Sequence, residues 1–438
     1  MAQVYKINDI EYECEFKLTN ADGQEIEFTK SAIRGMTIIC NVFEPFESGT
    51  ISIANPYDFI ENEYLIRGDG RDYLKIMFRV KDQPESKRYE NTFIISDDSN
   101  SGNLETRAEN IKTFNLIDKN ILPFLEEIPY GKVFSGKIGD ILKNIFKDLL
   151  GDEFVDEDNW ESGDFDITYS PNVSWRYIDF INEMLHYFYA KDGDIHVKAF
   201  IIYDNINKKF QFPLISKLFE NNKKHVTEAF SIGDLTNKFE TENENNPPPD
   251  AETGEYIGGS RNFSYSTPAH DINNNFFVSK IIHGYDPILG EMLIKKIDLK
   301  EARDKWKKKF VDVFKSMGGK PKPFVVVNNT TSKKFKHYRL PYNFKDNIGI
   351  VESELNMGLI FYNLQSYFSN IGDSSRQAGK FIDIYKPKKQ KLKSDEKLLG
   401  RWFLTEIRHV FFGDLYTNQF FCTKTYVGTT SNIKDDVD

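Results

Sequence analysis

From Ile10 to Leu18 the chain alternates without a break. Ile10, Tyr12, Cys14, Phe16 and Leu18 fall on one side, and Glu11, Glu13, Glu15 and Lys17 on the other. Side chains repeat every two residues only in an extended strand, so this stretch predicts a strand with one face in a core and the other in water. The same period returns after the turn "TNADGQ" at Ile26 and Phe28. It recurs at Met36, Ile38, Cys40 and Val42, at Ile51 and Ile53, and at Leu74, Ile76, Phe78 and Val80. With "NTFIISDD" and "ETRAENIKTFNLID" behind them, these runs predict a small antiparallel barrel or sandwich over residues 1–116.

The period changes after Ser135. Ile138, Ile141, Leu142, Ile145, Phe146 and Leu149 stand at helical spacing. A second helix is expected after Ser174 as N-cap, with Ile178, Ile181, Leu185 and Phe188 on one side. A hairpin about Asp204 to Asn207 completes a mixed helix-hairpin domain over 117–222. The polar, proline-rich stretch Glu242 to Gly259 reads as a loop. Residues 246–345 then hold that loop, a hairpin about Asp286 and Pro287, and the basic helix "EARDKWKKKFVDVFKSMGG". A short helix from about Asp346 leads into "GLIFYNLQSYFSNIG", "GKFIDIYKP" and the closing "GRWFLTEIRHVFFGDLYTNQFFCTKTY", all read as strands. Residues 223–245 plus 346–428 are thus expected to form a second barrel, and 429–438 a flexible tail. The fold class expected is α+β, mainly antiparallel β: two similar small barrels with mixed α/β insert domains.

The two strand-rich ends share a spacing. Gly70 precedes one strand, and Phe93 opens the next 23 positions on; Gly379 precedes another, and Phe403 follows 24 positions on. Gly70 and Gly379 are therefore the candidate structural turn glycines of two copies of one module. Any antiparallel barrel has a glycine before some strand, so coincidence fits the spacing as well.

No familiar site for chemistry is evident. There is no GxxxxGK[ST] loop, HExxH pair or GxSxG elbow. "VDEDNWESGDFD" puts Glu161 where a calcium loop needs glycine, which favours a solvated loop. Cys14, Cys40 and Cys422 are scattered and sit in strand patterns, as small core hydrophobes do. His186, His196, His225, His270, His283, His337 and His409 do not cluster in sequence. His409, between Ile407 and Phe411 on one strand face, reads as a packed histidine whose loss costs roughly 1–3 kcal/mol. Among 67 acidic residues no catalytic pair stands out. No run approaches the roughly 18 apolar residues of a membrane helix, and the start carries no signal-peptide core, so assembly in a cytoplasm is expected. A net charge of -10 argues against a main surface that grips nucleic acid, although "RDKWKKKF" and "KPKKQKLK" could touch DNA or an acidic partner.

With these elements in order, the chain resembles the central baseplate hub of contractile-tailed, T-even-like phages and the related hubs of contractile injection systems. The resemblance rests on "FESGTISIANPYDFIENEYLIRGDGRDYLKIMF", on "GKVFSGKIGDILKNIFKDLLG" followed by "SPNVSWRYIDFINEMLHYFYAKDGD", and on the closing "GDSSRQAGKFIDIY" and hairpin. It implies a homotrimer in which three pairs of barrels form a ring of six modules, adapting a hexameric tail tube to a trimeric cell-puncturing spike. Implied partners are the spike, the tail tube protein and other baseplate proteins, with the tape measure as a further candidate. DNA would pass through the ring without specific binding, and the protein would reside in the virion baseplate. The resemblance implies no catalytic residue, cofactor or metal. The alternatives are a phage-encoded cell-wall hydrolase and the hub of an injection system; the absence of a fused spike favours the phage tail over the latter.

Overall fold

The computed structural model describes residues 3–7, 10–63, 71–81, 88–102, 110–205, 207–220, 226–231, 256–257, 261–266, 279–286, 291–298, 301–302, 304–305, 323–327, 344–361, 364–385, 400–413 and 415–424. Gly70, nearly all of the 242–259 loop, most of the basic helix, the 386–397 lysine-rich run and the 429–438 tail lie outside the described residues.

The front of the chain forms β1 (Gln3–Ile7), β2 (Ile10–Thr19), β3 (Glu25–Phe28), β4 (Ile33–Asn41), β5 (Glu44–Ala54), β6 (Tyr73–Val80), β7 (Tyr89–Ser101) and β8 (Ile111–Asp118). They pair in the order β1-β2-β6-β7-β8-β5-β4. The alternation places its apolar side as expected. Tyr12, Cys14, Phe16 and Leu18 are buried with Met36, Ile38, Ile51, Ile53, Leu74, Ile76 and Phe78.

The back strands are β9 (Val226–Ser231), β10 (Arg261–Ser266), β11 (Leu364–Ile371), β12 (Phe381–Tyr385), β13 (Gly400–Phe412) and β14 (Leu415–Lys424). They do not form a sheet of their own. β13 pairs with β4, and one 15-stranded sheet runs through both ends of the chain. Phe411 and Tyr416, at the tip of the β13–β14 hairpin, accordingly lie in the front core, whereas Phe403, Leu404, Ile407 and Phe420 belong to a second core that the back strands share with the middle of the chain.

Between the two ends, α1 (Ile138–Leu150) buries Ile138, Ile141, Leu142, Ile145 and Phe146 and stops at Gly151, whose φ is 114°. The second helix, α2, starts later than Ser174 suggested. It spans Tyr177–Tyr187, with the carboxylate of Asp179 accepting the N–H of Arg176 at 3.1 Å, while Ser174 belongs to a turn built on Asn172. Its buried face is Tyr177, Phe180, Ile181 and Met184. The hairpin about Asp204 forms as read, with Asp204 opposite Lys209.

Three expectations need correction. The helix after Asp346 is long, not short: α3 (Phe344–Phe361) takes in the "GLIF" read as strand, because a short apolar run is compatible with either period. Val155–Trp160 is a strand rather than a loop, anchored by Trp160, which is buried and donates Nε1–H to the Gly139 carbonyl at 2.8 Å. Within the expected loop, Tyr256–Ile257 pairs with β9. Among the described residues no helix is long and apolar enough to cross a membrane.

Candidate functional site: the junction and its two repeated modules

His409 sits where the two ends meet. Its strand is paired on both edges, with Ile38 of β4 and Asn418 of β14 opposite it, and its side chain is fully buried. Nδ1 lies 2.7 Å from the Tyr416 hydroxyl and 2.9 Å from Asn418 Nδ2. Asn418 Oδ1 in turn accepts from the Asp373 N–H and from Arg376, each at 2.7 Å, and the Tyr12 hydroxyl donates to the Gly372 carbonyl at 2.9 Å. The ring is flanked by Phe78 and Tyr89. Burial pushes its pKa down to about 4, with Arg376 lowering and Glu47 raising it. A base needs access to a substrate, and this imidazole is sealed in a core. It is a packed histidine, as the sequence suggested, and it holds the hairpin tip in the front module, which the sequence did not suggest.

A second buried polar cluster joins the front sheet to the middle domain. Glu47 Oε1 accepts from Cys40 Sγ at 3.0 Å and from Asn205 Nδ2 at 2.6 Å; Oε2 accepts from the Tyr89 hydroxyl at 2.5 Å and Asn91 Nδ2 at 2.9 Å. Asn91 Nδ2 also reaches Asp118 Oδ2 at 3.0 Å. Burial and the neighbouring Glu47 push Asp118 up to about 7. Sequence reasoning found no such carboxylate pair, because Glu47 and Asp118 are far apart in the chain and are brought together by the fold, with Asn91 bridging them. Both are buried, so they tie elements together and have no open face for a substrate.

The remaining candidates do not converge. Cys14, Cys40 and Cys422 are buried free thiols, and burial raises each above its ordinary pKa, Cys14 to about 12. His196 meets Glu352 at 2.8 Å and His186 lies 3.6 Å from Glu354. His225, His270 and His337 lie outside the described residues. Among the described residues no group of three His, Cys, Asp or Glu could hold a metal. Gly379 has φ +81°, donates its N–H to the Leu404 carbonyl at 2.9 Å, and would set a Cβ 3.0 Å from Ile202.

The feature that extends furthest is a repeated register. The front strands run β4-β5-β8-β7-β6, and the back strands β10-β11-β14-β13-β12, with every neighbouring pair antiparallel. Residues 73–76 correspond to 381–384, 94–101 to 403–410, 111–118 to 417–424, 48–54 to 365–371, and 37–39 to 264–266. Ile94, one position beyond the Phe93 picked by spacing, is the counterpart of Phe403, since Ile94 stands opposite Tyr73 and Phe403 opposite Phe381. Both middle strands carry a bulge at the same point, Ser96 in β7 and Thr405 in β13. The Ser96 hydroxyl donates to the Asn115 carbonyl at 3.2 Å, and Thr405 Oγ1 to the corresponding Phe421 carbonyl at 3.0 Å. Just before each bulge, Ile95 N–H donates to the Asp72 carbonyl at 3.1 Å and Leu404 N–H to the Lys380 carbonyl at 2.9 Å. Bulges arise from local sequence at particular places in a ladder. Two at matching positions, with matching hydroxyl bonds, argue for one module used twice.

No family model matches the chain, and no curated protein matches it by sequence. Among solved structures it is similar to the tail protein from Neisseria meningitidis MC58, at 9% identity and a TM-score of 0.52, over 95% of this chain and 98% of that one. It also matches the prophage MuSo2 43 kDa tail protein from Shewanella oneidensis (7% identity, TM-score 0.49, 94% and 97% covered). A third is the E. coli c3393 protein, described as a type VI secretion component structurally similar to T4 tail proteins gp27 and gp5 (8% identity, TM-score 0.43, 92% and 75% covered). The N. meningitidis likeness shows that the chain shares the fold of that tail protein.

Proposed function

We propose that the chain is the structural baseplate hub of a phage tail: a homotrimeric adaptor between a six-fold tail tube and a three-fold spike. The carrying observation is the register-for-register repeat of β4-β5-β8-β7-β6 in β10-β11-β14-β13-β12. Three chains with two equivalent modules each present six similar surfaces on one side while keeping three-fold symmetry on the other. The fold it shares with the N. meningitidis tail protein agrees with this reading. In it, the modules lie in residues 1–116 and in 223–245 plus 346–428, the second taking in β10 (Arg261–Ser266) as well, and Gly70 and Gly379 are their turn glycines. The partners are the spike, the tube protein and other baseplate proteins, and the protein resides in the virion. At -10 per chain, three copies carry about -30, which lets DNA pass the ring without retention. The role needs no chemistry, and the buried His409 and Glu47–Asp118 clusters serve it as fasteners.

Light scattering of the purified chain, alone and mixed with the spike protein encoded by the same genome, tests the proposal. Three copies per complex are expected. A stable one-to-one complex, or a ring of six chains, rules the adaptor out. Cell-wall hydrolysis that survives repurification and is lost on mutating one carboxylate favours the hydrolase reading instead.

A further inference from the structure

The two copies of the module differ in how one edge is covered. β13 is 13 residues long, and on the edge away from β14 it is shared: residues 400–403 pair with β12, and beyond the Thr405 bulge residues 406–412 pair with β4. β7 is also 13 residues long and carries the equivalent bulge. Its residues 89–94 pair with β6, but beyond Ser96 the same edge, residues 96–101, has no strand beside it among the described residues. All six of those residues are exposed, whereas Ile407, His409 and Phe411 of β13 are buried. An open strand edge of this length is a template for another strand.

The repeat also says which strand fits. What covers β13 is β4, and the counterpart of β4 in the second module is β10 (Arg261–Ser266), which pairs only with β11 among the described residues. Among the described residues, each chain thus has a bare edge of the β13 kind and a bare strand of the β4 kind. We propose that residues 96–101 of β7 pair with β10 of a second copy, in the register by which β4 covers β13 inside the chain. His409 stands opposite Ile38 and Arg408 opposite Ile39, so the equivalence sets Ser99 opposite Ser266, Asn100 opposite Tyr265 and Ser101 opposite Ser264. The contact is head to tail, and repeating it around a closed ring alternates intrachain and interchain junctions of one geometry. "SDDSNS" is polar on both faces, so main-chain hydrogen bonds make this junction. The inference rests on the hub reading and gives it an interface.

Paired residues in an antiparallel ladder have Cα atoms about 4.5–5.5 Å apart, within disulfide range. The full chain carrying Ser99→Cys and Ser266→Cys is oxidised under the conditions in which light scattering finds three copies, then run on non-reducing gels. The three native thiols are buried and leave a low background. Interchain disulfides accumulating to a covalent trimer are expected, with no link from Ser99→Cys paired with Ser264→Cys, two residues out of register. A trimer by light scattering that links in neither variant, or that links within one chain, overturns the strand pairing and leaves the hub reading standing. Failure to assemble at any concentration, with or without the spike, removes both.

Discussion

Replacing His409 by alanine tests whether this ring is a fastener, and its effect can be worked out in advance. The ring fills space between Phe78, Tyr89 and Tyr416, and its Nδ1 meets Tyr416 and Asn418. Emptying a buried ring-sized site costs about 3 kcal/mol or more, and leaving a buried donor without its acceptor costs about 1–3 kcal/mol. A loss of about 4 kcal/mol at neutral pH is therefore expected, above the roughly 1–3 kcal/mol that position in a strand alone suggested. The pH dependence adds a signature. His409 has a pKa of about 4 folded, against 6.5 as its ordinary value, so below pH 6.5 the unfolded chain takes up the proton that the folded one refuses. Stability is fully retained above 6.5 and lost as pH falls toward 4, where the loss reaches about 3 kcal/mol at roughly 1.4 kcal/mol per pH unit. Between pH 7.5 and 4.5 the wild type should lose about 2.5 kcal/mol more than His409→Ala. Urea unfolding of both proteins at the two pH values, followed by fluorescence, measures this. If the two stabilities fall in parallel, the buried neutral imidazole is wrong.

Asp118 should act in the opposite sense. Its pKa is raised from 3.8 to about 7, so the folded chain holds a proton that the unfolded chain releases, and this contribution declines as pH rises from about 4 to 7. Asp118→Asn should therefore compare more favourably with wild type at pH 8 than at pH 5 in the same assay; no pH-dependent difference would mean that Glu47 and its donors leave Asp118 charged. Gly379→Ala should cost about 2–3 kcal/mol, from φ +81° together with a Cβ at 3.0 Å from Ile202. Gly413→Ala, at φ +56° with nothing within 4 Å, should cost about 1 kcal/mol, and equal losses at the two sites would dismiss the Ile202 contact.

Much of the architecture was legible in the chain because it is local. The alternation from Ile10 to Leu18 specified a strand and its inward face, and the spacing of Ile138, Ile141, Leu142, Ile145 and Phe146 specified a helix and its buried stripe. Those signals depend only on the geometry of one element. The start of α2 and the length of α3 were less legible, since Ser174 could cap a turn as readily as a helix and "GLIF" suits either period. The repeat was visible only as a spacing, shifted by one residue at Phe93, because Ser96 and Thr405 or Asp97 and Glu406 keep chemistry but not identity. Beyond those positions the copies diverge: "DSNS" in β7 is exposed, while "IRHV" in β13 lies between β4 and β14. Which edge is covered depends on a partner far away in sequence, as does the meeting of Glu47 with Asp118 and of His409 with Tyr89. Periodicity determined which side of each strand would be buried; only the tertiary structure decided what it would be buried against, because that depends on long-range pairing that no local pattern encodes.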